Sequence, residues 1–229
     1  MSKSSQTIAV LIETGQKRVF VAALDWPGWT RSGKDEAQAL DALFNYGPRY
    51  DRVLQSARLK FRAPKTSSQI EVVERVPGNA TTDFGAPDGM SATDTAALDN
   101  ATFKHLSAVL DACWVALQTA AQSAHGKILR TGPRGGGRDL AKMIQHVVES
   151  NAGYLRQINW RSAADMDGDS DSMLTNAQRA TADALANAMT NGLPETGPRG
   201  GKLWPLRYFV RRAAWHVLDH AWEIEDRLS

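Results

Sequence analysis

Cysteine is almost missing from this chain. Cys113 is the single one in 229 residues, so no internal disulfide can form and a zinc site built on cysteine thiolates is excluded. Cys113 falls on the apolar stripe Phe103, Leu106, Leu110 and Leu117 of an expected helix, which reads as a buried, unreactive thiol. An excess of charge is also missing. The formal net charge is +2, which argues against a large electrostatic footprint for nucleic acid or a membrane surface. No stretch approaches the roughly 20 apolar residues of a membrane span. The first fifteen residues, MSKSSQTIAVLIETG, have no apolar core or cleavage signal of a secretory leader. The expectation is a cytoplasmic protein. The 42% hydrophobic content is enough for a packed core.

Two kinds of periodicity divide what is there. In the first part, Thr7 to Glu13 and Arg18 to Leu24 are β-rich runs joined at Thr14-Gly15-Gln16-Lys17, a hairpin signal. Asp25-Trp-Pro-Gly-Trp29 reads as a turn. Gly33-Lys-Asp-Glu36 opens a helix with Ala37, Leu40 and Phe44 on one face, expected to end at Gly47-Pro48. A strand is expected at Gln69 to Val76. The order β-β-α-β makes a small α+β module over residues 1–78. Residues 79–98, rich in Gly, Pro, Ala, Thr and Asp, read as a linker.

Residues 99–229 carry helical periodicity instead. Four helices are expected, at about Ala101–Ser123, Arg138–Ile158, Thr175–Asn191 and Leu206–Leu228, and an antiparallel four-helix bundle is their simplest assembly. The fold class is therefore α+β. A short repeat stands out: Thr131-Gly-Pro-Arg-Gly-Gly136 returns as Thr196-Gly-Pro-Arg-Gly-Gly201. Each copy precedes a histidine-bearing helix. Arg134 and Arg199 with their flexible backbone amides suit an anion; the same glycines are equally those of two plain connecting turns.

Histidine is scarce, with five in the chain, yet His216 and His220 stand one helical turn apart, close enough to bind one ion together. On the last helix the apolar stripe is Leu206, Phe209, Val210, Ala213, Val217, Ala221 and Ile224. His220 lies just inside its edge and His216 just outside, with Glu223 and Arg227 continuing that edge. His146 sits off the centre of the second helix's stripe beside Met143, Ser150 and Gly153, a suitable third ligand. Three imidazoles leave coordination positions open, the pattern of a catalytic ion able to activate a water or thiol. A carboxylate follows each histidine at i+3: Glu149, Asp219 and Glu223. These are ordinary surface charges, partners of imidazole N–H groups or extra ligands; Asp219 suits the first role, and Glu223 and Glu149 are the candidates for a catalytic one. His105 and His125 read as surface residues. Trp215 and Trp222, seven residues apart on the opposite face, call for cover from the N-terminal module or a second subunit.

With His146 in Met143-Ile-Gln-His-Val-Val-Glu149 and the His216/His220 pair in place, residues 99–229 resemble the DinB/YfiT-like superfamily of four-helix bundles. The resemblance implies a zinc or nickel ion on these histidines, a thiol-dependent transferase or hydrolase-like activity on a small molecule such as a low-molecular-weight thiol, and a homodimer. The N-terminal module, through Val19-Phe-Val-Ala-Ala-Leu24, Asp25-Trp-Pro-Gly28 and the helix from about Asp35, is similar to the HicB-like antitoxin fold. No DNA-binding element accompanies it, so the module is expected to bind a partner or to dimerise. A non-catalytic binding or stress-response protein, with the bundle as scaffold, is the competing expectation.

Overall fold

A computed structural model of the chain describes residues 7–132, 137–161 and 168–228. These divide into two compact units. The first holds the described residues up to Ala112 together with Val210–Trp215; the second holds Cys113–Phe209 and the chain from His216 onward.

The first unit is built on a four-stranded mixed sheet. β1 (Ile8–Thr14) pairs antiparallel with β2 (Val19–Ala23), and β2 with β3 (Thr30–Gly33). After α1 (Glu36–Ser56) the chain returns as β4 (Ile70–Pro77), parallel to β1, so the order is β3-β2-β1-β4. Every residue of β2 is buried, which explains a strand written as an unbroken apolar run rather than an alternation. β4, at the edge, alternates half-buried and exposed residues throughout.

Two expectations need correction here. The expected order β-β-α-β lacks one strand, since Thr30–Gly33 pairs with β2 ahead of the helix; four residues of mixed polarity are too short to show a period. More instructive, α1 does not stop at Gly47-Pro48 but runs on to Ser56. Proline in a helix interior forfeits one backbone hydrogen bond and crowds the preceding turn. Here that cost is offset by what lies beyond it. Tyr50 and Leu54 are fully buried, and the Tyr50 hydroxyl donates to the Pro27 carbonyl at 2.8 Å. Gly47 itself has Pro64, Ala63 and Trp29 within 3.4 Å of where a Cβ would stand, so its lack of a side chain serves packing. Trp29 stacks on Tyr50 with centroids 5.6 Å apart, Phe61 meets both rings edge-on, and the Trp29 indole N–H donates to the Leu43 carbonyl at 2.9 Å. This aromatic core gives the unit its centre.

The segment 79–98, read as a linker, carries the short helix α2 (Ala80–Phe84) and a 3-10 turn at Ala92–Thr95. Its polar groups are put to structural use. Glu13 is buried at the end of β1 and accepts hydrogen bonds from the Thr82 hydroxyl and the Asp88 amide. Asp94 is buried in an ion pair with Arg211, whose guanidinium also donates to the Gly89 carbonyl at 2.9 Å.

The helices fall close to expectation: α3 (Asn100–Ala124), α4 (Leu140–Gln157), α5 (Ser170–Asn191) and α6 (Leu206–Leu228). α5 starts five residues early because the Asp169 side chain caps it at the Ser172 amide. In the second unit these helices pack against one another. Gln118 of α3 donates to Gln178 of α5 at 2.8 Å, and Asn151 of α4 donates to the Thr181 hydroxyl of α5 at 3.0 Å. The second bond is buried and fixes the rotation of α4 about its own axis. Cys113 is fully buried, as its stripe position requires. Trp215 and Trp222 are buried as well, and Trp215 meets Phe20 of β2 edge-on at 6.2 Å. Among the described residues no helix is long and apolar enough to cross a membrane.

Candidate metal centre

The rotation of α4 decides where His146 points. Its apolar side, Met143, Ile144, Val147, Val148 and Leu155, is buried, which leaves His146, Ser150 and Tyr154 along one border at i, i+4 and i+8. On α6 the run Tyr208–Leu218 is buried on every side, wider than the stripe that periodicity outlines. His216 is therefore inside, 7% exposed, rather than at a solvent-facing edge. His146 and His220 are half-buried.

The three imidazoles converge. One ring nitrogen from each lies within 4.8 Å of the others. The Nε2 atoms of His216 and His146 are 3.3 Å apart. The rings are mutually steep, with centroids 4.7 to 5.2 Å apart and interplanar angles of 69° to 88°. Two nitrogens at about 2.0–2.1 Å from a tetrahedral ion stand roughly 3.3–3.4 Å apart. The His146/His216 pair has that spacing already, and a movement of about an ångström by the His220 ring would complete the set.

His220 is prepared for the same task from its other side. Its Nδ1 faces the Glu223 carboxylate at 3.0 Å, which fixes the tautomer and leaves Nε2 to ligate. Glu223 is held in turn by Arg227 at 3.1 Å, and Arg227 donates through Nε to the Arg130 carbonyl at 2.7 Å. Gly137, at φ 143°, admits this guanidinium: a Cβ there would lie 2.7 Å from it. The hydrogen bond from His220 is the main reason that the Glu223 carboxyl titrates below its ordinary range, with Arg227 adding to it against the cost of burial. His146 is also pushed down, first by burial and then by the positive charges of His220 and Arg138, with Glu149 and Glu223 opposing. A depressed imidazole is neutral at pH 7, the form that binds metal.

The other candidates lie elsewhere. Glu149 is exposed and accepts from Gln145 at 2.8 Å. His105 holds the Asp25 carbonyl at 2.8 Å and sits edge-on to Trp26, while His125 is exposed just after α3. Arg199 stands on a turn before α6, and Arg134 lies outside the described residues. Tyr154, which the sequence reading did not place at the site, packs edge-on against His216 at 5.7 Å and lies 5.4 Å from the Trp204 ring. The signal was its position two turns after His146 on the same border.

The chain thus combines a small mixed sheet with a helical region that carries a three-histidine cluster able to hold a metal. Comparison with protein-family models, with curated proteins and with solved structures returns no match.

Proposed function

We propose that His146, His216 and His220 hold one divalent cation and that the protein is a metal-dependent enzyme of the transferase or hydrolase type acting on a small molecule. The observation that carries this reading is the 3.3 Å approach of the His146 and His216 Nε2 atoms, beside a third imidazole whose Nδ1 is engaged by a carboxylate. Two neutral imidazoles at this distance can share one N–H···N bond, whereas an ion would join all three. A donor set of three nitrogens suits zinc or nickel. Bound there, the cation would supply a lowered pKa for a water or thiol at an open position.

The chain's own residues serve that chemistry by placement. Glu223 orients His220 and turns its Nε2 toward the cluster. Burial of His216 and the Tyr154 ring against it exclude bulk water from one side of the cluster. The resemblance of residues 99–229 to DinB/YfiT-like bundles supports the same reading and points to a low-molecular-weight thiol as the substrate class. Metal analysis of the purified protein tests it. One equivalent of zinc or nickel per chain, lost in His216→Ala, is expected. Failure to take up either ion, or undiminished uptake by the variant, would overturn it.

A further inference from the structure

At the C-terminal end of α4 the second unit has a cavity of about 550 Å³ with an unusual charge balance. Among the described residues its lining includes Arg156, Arg161, Arg199 and Lys202 and no carboxylate. All four cationic side chains are exposed, and none of them forms an ion pair with a described acidic residue.

The backbone around the cavity is built rather than loose. α4 ends with Asn159 in the left-handed region at φ 58°. The Trp160 amide returns to the Leu155 carbonyl at 2.9 Å and the Asn159 amide to the Arg156 carbonyl at 3.2 Å, the paired bonds of a Schellman stop. The Trp204 amide takes the Gln157 carbonyl at 2.8 Å. On the other wall, the second copy of the Thr-Gly-Pro-Arg-Gly-Gly repeat closes on itself. The Gly200 amide bonds the Gly197 carbonyl at 2.9 Å and the Gly197 amide the Gly201 carbonyl at 2.8 Å, which sets Arg199 at the corner of a tight turn.

These bonds answer an obvious objection. Arginine in the last turn of a helix ordinarily complements the negative end of the helix dipole. Here the last carbonyls of α4 are already satisfied by backbone amides, so the guanidinium of Arg156 is not needed as their cap. Holding these like charges together costs free energy, and a ligand with several negative charges would relieve it. Arginine forks match phosphate oxygens in pairs, and the cavity has the size of a small-molecule site.

We infer that this cavity is a binding site for a small polyanion of phosphate-ester or diphosphate chemistry, with Arg156 and Arg199 as its paired anchors. The site is separate from the histidine cluster and does not depend on a metal there.

Titration calorimetry with inorganic pyrophosphate at constant ionic strength tests it, on protein stripped of metal. Saturable binding is expected, with chloride no substitute. Arg199→Gln and Arg156→Gln should each weaken it about tenfold or more, as loss of a charge-assisted contact requires. Both positions are exposed, so the variants should unfold at the wild-type temperature. His216→Ala, stripped in the same way, should bind pyrophosphate as the wild type does, whatever becomes of the metal reading. Absence of saturable binding at millimolar pyrophosphate, or wild-type affinity in either arginine variant, would overturn the inference.

Discussion

The Nε2 atoms of His146 and His216 face each other at 3.3 Å across α4 and α6. That distance is a hydrogen bond when one ring carries the proton, and a ligand edge when neither does. A cation binding across it stabilises the folded chain by mass action, by about 2.7 kcal/mol at a hundredfold excess over Kd. For a chain of this length the melting temperature should rise by roughly 5–10 °C. Differential scanning fluorimetry with and without zinc reads this, and His146→Ala should abolish the rise. An equal rise in the variant would place the ion somewhere else.

The protonation of His146 sets a pH dependence. Its native pKa lies below the ordinary value of 6.5, so between those two values the unfolded chain binds more protons than the folded one. Stability therefore rises with pH through this window, is fully present above 6.5, and is lost as pH falls through the depressed native value. Glu223, also depressed, adds a loss of the same sign at lower pH. Urea unfolding of the metal-free protein from pH 7.5 down to pH 5 should show the decline, and His146→Gln should flatten it. A metal-free stability that climbs as pH falls over this range would contradict the assignment.

Glu223 acts on the cluster through His220. Glu223→Gln keeps the volume but removes the charge that Arg227 and His220 share, and metal affinity should fall by about 10- to 100-fold. Competition with a chromophoric chelator measures it. Glu149→Gln, exposed and bonded to Gln145, should leave the affinity within twofold of wild type. If the two substitutions weaken binding alike, the distinction drawn between these carboxylates is mistaken.

Arg211 and Asp94 form an ion pair whose side chains are only 6% and 4% exposed. Removing one partner strands a buried charge, so Asp94→Ala should cost about 3–5 kcal/mol. Replacing both with apolar residues of similar volume should cost far less. Equilibrium denaturation of the single and double variants decides it; a single substitution within 1 kcal/mol of wild type would show that Arg211 finds water or another acceptor.

Much of this was legible from periodicity. The helices of residues 99–229 lie within a few residues of expectation, because their apolar repeats are long and their caps conspicuous. The His216/His220 pair could be read from spacing alone, and Glu223 from its place one turn further on. Pro48 misled because a local rule was overruled by Tyr50 and Leu54, whose burial against distant residues no short window displays. α6 misled in a similar way. Its polar-looking face is buried, since Arg211 meets Asp94 across more than a hundred residues of chain. The charge cluster at the end of α4 was invisible too: Arg156 and Arg161 flank a helix stop, and only tertiary structure brings them to one cavity with Arg199.

Val210–Trp215 belong to the first unit although they lie in the last helix. On the ribosome this strip emerges long after the sheet, α1 and Asp94. The sheet and α1 can form early, but Asp94 must wait for Arg211 and Phe20 for Trp215. The first unit is thus completed only when α6 is made, by the same stretch of chain that delivers His216 and His220. A nascent chain stalled before residue 210 would hold a buried-type aspartate without its arginine and one histidine of the three, a state suited to chaperones rather than to function.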